Sequence, residues 1–206
     1  MLYDLSWPIE DGMPVYPGDD GVEILQVRHF ETDGYNAFRT VTGQHAGTHV
    51  DSPMHMSADP VRIGAWPLDR FTGDARIVDA RGMAVFGPEA VPEAWLVSGA
   101  ILLFCTGAAA QYGLESYYRE HPVLSDTLAE RLVQAGVKLV GVDAPSPDRF
   151  PFSVHTRLFA AGVPIVENLR GLERLLPHPG AGRFFGFPLA LEADASPIRA
   201  VMECAD

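Results

Sequence analysis

The chain has 206 residues, of which 27 are acidic and 15 are basic, so its formal net charge at pH 7 is −12. Hydrophobic residues make up 47% and charged residues 20%, which excludes a disordered chain and predicts one folded domain over residues 1–206. With no block of Lys and Arg, the acidic balance argues against nucleic acid as the main partner and favours a small molecule.

The opening segment, the apolar stretches and the cysteines each give an expectation about the setting or the core. The opening MLYDLSWPIEDG places an acidic residue and a proline where a signal peptide needs basic and apolar regions, so we expect a cytoplasmic protein. The longest nearly uncharged apolar stretch, residues 94–110, is shorter than the roughly 20 residues of a membrane-spanning helix. Neither Cys105 nor Cys204 has a partner at metal-ligand spacing, and we expect a buried core thiol and a tail thiol.

The first half of the chain is rich in short β-branched or aromatic segments bounded by Gly, Pro and Asp. Such segments predict strands. They cover residues 22–30, 35–42, 76–80 and 101–105.

The second half alternates helix and strand. Apolar residues recur at helical spacing after Ser125, a suitable N-cap, and Gly136 follows the last of them. A strand is predicted over residues 137–142, then a helix over 156–161, Gly162, and a strand over 163–166. Strands over residues 184–192 and 198–204 close the chain. This order predicts a single α/β domain in which crossover helices pack on a mixed sheet.

Three of the seven histidines lie within the eleven residues from His45 to His55, in the segment HAGTHVDSPMH. His45, His49, Asp51 and His55 all have odd numbers, so an extended chain presents them on one face. Full extension would separate the Cα atoms of His45 and His49 by about 13 Å, too far to share an ion. We therefore expect a bend at Gly47.

Two imidazoles and a carboxylate suit zinc, manganese or iron at a site with an open position for water, which predicts a catalytic metal. The alternative is that one histidine caps a turn and another packs in the core. Pro53 prevents the segment from continuing as a regular element.

Further candidates are spread along the second half. His155 and Glu167 could be ligands, but each also has an ordinary explanation near a helix start or in a loop. We expect structural or exposed roles for His29, His121 and His178. Asp143, Ser146 and Asp148 in VDAPSPD are typical of a turn, with a role in supporting a ligand as the alternative. The sequence contains no GxSxG, P-loop or GxGxxG motif.

The segment HAGTHVDSPMH resembles the HxGTHxDxPxH signature of the metal-dependent cyclase-like hydrolases, a family that includes bacterial kynurenine formamidase and isatin hydrolase. Four other blocks resemble the same family in the same order. They are DLSWPIEDGMPVYPGD (residues 4–19), GVKLVGVDAPSPD (136–148), HTRLFAAGVPIVENL (155–169) and DASPIRAV (194–201).

The resemblance implies a role for each matching residue. His45, His49 and Asp51 would hold one metal, and Asp51, His155 and Glu167 a second if two are present, with Zn²⁺ or Mn²⁺ as the ion. His55 matches the acid/base of the family. Tyr16 stands where bacterial kynurenine formamidases carry a pocket tryptophan. The family also implies a swivelling β/β/α fold and a homodimer or higher oligomer.

Together these features predict a hydrolase that cleaves the C–N bond of an arylformamide, such as N-formylkynurenine in tryptophan breakdown, or of a lactam. Two alternatives stay open: a cyclase or dehydratase of secondary metabolism, and a non-catalytic module in which the metal only holds loops together. Structural zinc sites usually contain cysteine, which disfavours the module. Trp7, Trp66 and Phe187 are further aromatic candidates for the pocket, although we expect Trp66 and Phe187 to pack in the core.

Overall fold

Nine strands form one mixed sheet within the residues that the computed structural model describes, 1–58, 61–177 and 182–204. His178 lies outside these residues. Two further pairs, β2 with β3 and β6 with β8, form separate two-stranded sheets. In chain order, the strands of all three sheets are β1 (Leu2–Asp4), β2 (Glu23–Arg28), β3 (Ala37–Val41), β4 (His49–Asp51), β5 (Thr72–Asp79), β6 (Val85–Phe86), β7 (Ile101–Cys105), β8 (Val123–Leu124), β9 (Leu139–Val142), β10 (Ile165–Glu167), β11 (Gly182–Phe185), β12 (Ala195–Pro197) and β13 (Val201–Glu203).

The α-helices are short and lie between strands. They are α1 (Phe30–Asp33), α2 (Glu115–Arg119), α3 (Asp126–Ala135) and α4 (Ser153–Ala160). Single turns of 3-10 helix occupy Pro53–Met56, Ile63–Ala65, Leu68–Phe71, Pro88–Ala90, Glu93–Trp95, Ala108–Gln111 and Leu172–Arg174. Within the described part of the chain, no helix is long and apolar enough to cross a membrane.

The sheet order is β1-β13-β11-β5-β7-β9-β10-β4-β12. The central strands β5, β7, β9 and β10 are parallel, and the strands on both sides of them run antiparallel to their neighbours. Helix α3 connects β7 to β9 and helix α4 connects β9 to β10. The predicted α/β fold with crossover helices on a mixed sheet is confirmed.

The core lies on both faces of this sheet. Alternate side chains of β7 belong to different apolar clusters, Leu102 and Phe104 to one, Ile101 and Leu103 to the other. Every residue of β7 is buried, as expected for a central parallel strand. Cys105 at its end is a buried core thiol, as predicted.

The helix predicted after Ser125 is confirmed. The Ser125 hydroxyl accepts a hydrogen bond from the Leu128 amide at 3.2 Å, and Gly136 ends the helix with a φ of 71°. Helix α4 starts three residues earlier than the sequence predicts, at Ser153. The reason is tertiary, because Asp148, outside the helix, accepts from the amides of Val154 and His155.

Two expectations for the end of the chain are wrong. The strand predicted over residues 184–192 ends at Phe185, before a segment that contains Pro188. The strand predicted over residues 198–204 is shorter, since it contains only β13, and the sequence did not predict β12, which precedes it. The two strands pair with β11 and β4, in different parts of the sheet. Since only residues 198–200 separate them, the sheet curls until its two ends approach. Cys204 is buried, and its amide donates to the Met1 carbonyl.

Candidate metal centre

The centre is built on the three strands β10, β4 and β12. His49 and Asp51 are two residues apart on β4 and share one face of the sheet. The register places Glu167 of β10 opposite His49, and Glu167 Oε2 lies 3.4 Å from His49 Nε2. Strand pairing therefore brings together two side chains that are 118 positions apart in the sequence.

The bend predicted at Gly47 is present. Gly47 has a φ of 61°, a conformation that favours glycine. The ring centroids of His45 and His49 consequently lie 5.0 Å apart. The turn also orients His49, whose Nδ1 lies 2.9 Å from the Gly47 carbonyl oxygen. Pro53 begins a 3-10 turn rather than a longer strand, and this turn carries His55 towards His45, with ring centroids 4.2 Å apart.

His155 joins the cluster from helix α4. Its Nε2 lies 3.3 Å from Glu167 Oε1, and its Nδ1 lies 2.6 Å from Asp148 Oδ1. Asp148 therefore contacts both the first turn of α4 and the imidazole of His155. Of the two roles considered for Asp148, this favours the support of a ligand over the formation of a turn. Ser146 contacts Asp148, whereas Asp143 binds the Thr106 and Gly107 amides outside the cluster.

Asp194 is the residue that sequence reasoning missed. Its Oδ2 lies 3.1 Å from His45 Nε2 and 2.8 Å from His55 Nδ1. It directly precedes β12, whose pairing with β4 places Ala195 opposite Asp51. The motif DASP contains no periodic or spacing signal that relates it to the histidine segment. Only the curled sheet brings the two together.

Asn168, which directly follows β10, supports the bend at Gly47. Its Nδ2 donates to the Gly47 carbonyl at 3.0 Å, and its Oδ1 accepts from the buried Tyr117 hydroxyl at 2.6 Å. The Gly47 carbonyl therefore receives two donors, one from Asn168 and one from His49. This interaction places a hydrogen on His49 Nδ1, so Nε2, which faces the carboxylates, is the nitrogen that could bind a metal after losing its proton.

The cluster brings imidazoles and carboxylates, which can carry opposite charges, together in a buried space, and this shifts their pKa values. Burial alone would lower the pKa of His45, but the carboxylates of Asp51 and Asp194 outweigh it and raise that pKa to about 9. Burial is likewise outweighed at His155, where Asp148 and Glu167 raise the pKa to about 10. Conversely, the neighbouring imidazoles overcome the effect of burial on Asp51 and hold the pKa of its carboxyl below the usual range.

Several polar atoms at the centre of the cluster lack hydrogen bonds. Both carboxylate oxygens of Asp51 and the Nε2 of His49 are buried without a well-directed hydrogen bond among the described residues, although His45 Nδ1 lies 3.0 Å from Asp51 Oδ1. Unsatisfied buried groups of this kind are costly unless another group occupies the space between them. Among the described residues, three sets have ligand atoms close enough to share an ion: His45 with His49 and Asp51, Asp51 with His155 and Glu167, and His45 with His55 and Asp194. The donors therefore fit a divalent metal.

A cavity of about 240 Å³ opens onto the cluster. His45, His49, His55, His155 and Glu167 line it on one side. The opposite walls consist mainly of apolar and aromatic residues, namely Pro14, Val15, Tyr16, Met56, Tyr112, Tyr118, Pro145 and Phe152. No Lys or Arg occurs among the described residues that line it.

The aromatic candidates from the sequence have different positions. Tyr16 lines the cavity, with its ring edge-on to Tyr118 at 5.8 Å between centroids. Trp7 stacks on Tyr112, a wall residue, with ring centroids 4.1 Å apart. Trp66 packs against the core, whereas Phe187 is 44% exposed, so the expectation of core packing is wrong for Phe187. His121 is buried and His29 is exposed, in line with the roles expected for them.

Residues 3–149 match the family model described as "Cyclase: Putative cyclase". Among solved structures, the chain is similar to isatin hydrolase A from Labrenzia aggregata, with a TM-score of 0.88, 17% identity, and coverage of 100% of this chain and 94% of that one. It is also similar to a "potential metal-dependent hydrolase with cyclase activity" (TM-score 0.80, 26% identity, 100% and 98% coverage). A "predicted metal-dependent hydrolase from Bacillus stearothermophilus" matches with a TM-score of 0.77, 28% identity, and 98% and 97% coverage.

Proposed function

The chain belongs to the cyclase family, and on that premise we propose that it is a metal-dependent hydrolase that cleaves the C–N bond of an arylformamide or a lactam. The reaction adds water across the bond and yields a carboxylic acid and an amine. We further propose that it works in the cytoplasm as a homodimer or higher oligomer, with Zn²⁺ or Mn²⁺ as its metal. N-formylkynurenine, an intermediate of tryptophan breakdown, is the arylformamide proposed from the sequence.

The observation that carries this proposal is the way the imidazoles are held. His49 and His155 each use Nδ1 to contact an oxygen, that of Gly47 and that of Asp148 respectively. Both therefore present Nε2 to the carboxylates at the centre. Metal-binding histidines in proteins characteristically donate their other ring N–H to a carboxylate or a backbone carbonyl. Ordinary core histidines would not require buried carboxylates on the remaining nitrogen.

The proposed roles divide between two groups of side chains. His45, His49, Asp51, His155 and Glu167 would hold one or two divalent ions. When bound, such an ion lowers the pKa of a coordinated water towards 7 and polarises the carbonyl oxygen under attack.

His55 is the proposed acid/base. It lines the cavity beside His45 and belongs to neither of the two candidate ligand sets that contain Asp51. It would accept a proton from the attacking water and return it to the departing amine. One imidazole can serve both steps because the proton that it accepts in the first is the one that it donates in the second.

The cavity walls support a flat, apolar substrate. Tyr16, Tyr112, Tyr118 and Phe152 surround the space with aromatic rings, which favours an aromatic amide. The lack of Lys and Arg among the described lining residues leaves a substrate carboxylate without a partner. This favours an uncharged lactam or arylformamide over a substrate that carries a carboxylate. Uncharged and carboxylate-bearing substrates can be compared directly in one assay.

The test is elemental mass spectrometry of the purified protein, together with hydrolysis assays before and after chelation. The panel is N-formylkynurenine, the uncharged formanilide, and isatin as a lactam. One or two ions per chain and chelator-sensitive turnover of any member would support the hydrolase. Metal without turnover would favour the cyclase or dehydratase alternative. Absence of bound metal after reconstitution would refute the proposal.

Cobalt substitution tests the remaining alternative, a non-catalytic module. A catalytic site keeps an exchangeable water on the ion, whereas a structural site closes its coordination with protein ligands. Visible spectra that change on addition of a small anion, such as azide, would therefore count against the module. Spectra of a closed, unresponsive site would favour it.

A further inference from the structure

The Asp194 carboxylate contacts two imidazoles with one oxygen. Oδ2 lies 2.8 Å from Nδ1 of His55 and 3.1 Å from Nε2 of His45. The two rings are tilted by 41° with centroids 4.2 Å apart, so they are neighbours in their own right. Asp194 is thus placed between a proposed metal ligand and the proposed acid/base.

The backbone of Asp194 is anchored independently of those imidazoles. Its carbonyl accepts hydrogen bonds from the amide and the hydroxyl of Ser52, at 2.9 and 2.7 Å. Ser52 is completely buried and directly follows β4, the strand that carries His49 and Asp51. The backbone that carries the Asp194 carboxylate is therefore held by the same part of the fold as the candidate ligands.

An ionised carboxylate only accepts hydrogen bonds, so each ring nitrogen that faces Asp194 must carry the hydrogen. Asp194 Oδ2 faces both of these nitrogens, His55 Nδ1 and His45 Nε2. For His45 the hydrogen that faces Asp194 is on Nε2, so Nδ1, 3.0 Å from Asp51 Oδ1, is the nitrogen that loses its proton when a metal binds. For His55 the hydrogen is on Nδ1, which leaves Nε2 as the basic nitrogen.

We propose that Asp194 is a positioning residue that selects the tautomers of two imidazoles with different roles, so that His45 presents Nδ1 to the metal and His55 presents Nε2 to the substrate. This inference rests on the proposed function for the roles of the two histidines. The contacts and the tautomers themselves do not depend on it. His45, His55 and Asp194 could alternatively hold an ion of their own, since their ligand atoms lie close enough together.

The test uses Asp194→Asn, which keeps the shape and removes the charge. Glu192→Gln is the matched control, because Glu192 is an exposed carboxylate two residues away on the same segment. Asp194→Glu restores the charge on a longer side chain. In the metal-loaded enzyme we expect Asp194→Asn to lower kcat by about 10- to 100-fold with little change in KM. Asp194→Glu should recover part of this loss, and Glu192→Gln should match the wild type.

The second measurement does not require activity. Long-range ¹H–¹⁵N NMR of the imidazoles reports which ring nitrogen carries the hydrogen, and the signals of His55 can be assigned with a His55→Gln variant. In the metal-free wild type we expect the Nδ1–H form of His55. In Asp194→Asn we expect a mixture or the Nε2–H form. If the wild-type enzyme hydrolyses none of the three substrates, the proposed function fails, while the NMR result still decides the role of Asp194.

Three results would overturn the inference. The first is an Asp194→Asn variant with the wild-type kcat. The second is an unchanged His55 tautomer in that variant. The third is the loss of one metal equivalent from Asp194→Asn by elemental analysis, which would make Asp194 a ligand of an additional ion. If Asp194→Asn misfolds, Asp194→Glu is compared with the wild type instead. A shifted population of His55 tautomers with intact metal content would support the positioning role. An unchanged population of tautomers would contradict it.

Discussion

Metal binding to the metal-free protein should release protons and should become tighter as the pH rises. A histidine must lose its proton before its nitrogen can bind a metal. In the metal-free protein the pKa of His45 is raised to about 9 and that of His155 to about 10. Both imidazoles therefore carry two protons at pH 7, and an ion must displace one from each. The buried carboxylates that attract the ion also hold the protons with which it competes.

The magnitude follows from the two candidate ligand sets. His45 belongs to the set with His49 and Asp51, and His155 belongs to the set with Asp51 and Glu167. Filling each set at pH 7 should release at least about one proton, because each contains one imidazole with a pKa well above 7. For each proton released, the dissociation constant falls about tenfold per pH unit. The fall should continue until the pH reaches about 9 for the first set.

Isothermal titration calorimetry with Mn²⁺, in buffers of different ionisation enthalpy, measures the released protons directly. The His155→Gln variant should release about one proton fewer in total. His29→Gln is the matched control, because His29 is exposed and lies outside both sets. Two results would refute the claim that the buried carboxylates keep His45 and His155 protonated. One is proton release near zero at pH 7, and the other is the release of equal numbers of protons by the wild type and His155→Gln.

The remaining predictions concern individual residues and stability. His49→Ala should lose metal and activity together, whereas His55→Ala should lose turnover and keep its metal; equal metal loss in elemental analysis would contradict this division of roles. Gly47→Ala should destabilise the metal-free protein by about 1–3 kcal/mol in urea unfolding, because its φ is 61° and the new Cβ would lie 3.0 Å from Ile9 Cδ1. Gly34→Ala is the control, because Gly34 has a φ of 77° and no atom lies within 4 Å of the new Cβ. It introduces backbone strain without a clash and should lower the free energy of unfolding by less than Gly47→Ala does. Finally, imidazoles with raised pKa values stabilise the metal-free fold fully below the ordinary value of 6.5, and this contribution is lost as the pH rises through about 9 and about 10. Thermal unfolding should show a Tm that falls between pH 7 and 10 without metal, and a Tm independent of metal at pH 10 would contradict this.

Much of the fold could be predicted because its signals are local. Helix α3 is specified by apolar spacing, a serine cap and a terminal glycine, all within a dozen residues. The buried strand β7 and the bend at Gly47 are similarly encoded in a few neighbouring residues. The histidine segment could be interpreted for the same reason, since the side-chain period of an extended chain determines which of its residues share a face.

The strands at the end of the chain could not be predicted in this way. β12 and β13 have three residues each, too few to show a period. Their partners β4 and β11 are selected by the curl of the whole sheet. The start of α4 also depends on a distant side chain, because Asp148 supplies the acceptor that the first turn requires.

For the candidate site, the sequence by itself determined the residue types and the bend that brings His45 to His49. The tertiary structure alone decided the neighbours of these residues. Glu167 lies against His49 through strand register, and Asp194 reaches His45 through the closing of the sheet. Local patterns reflect the geometry of a few consecutive residues, whereas contacts between distant segments depend on how the complete apolar core packs. A supporting carboxylate such as Asp194 has no sequence period of its own, so only the folded chain could reveal it.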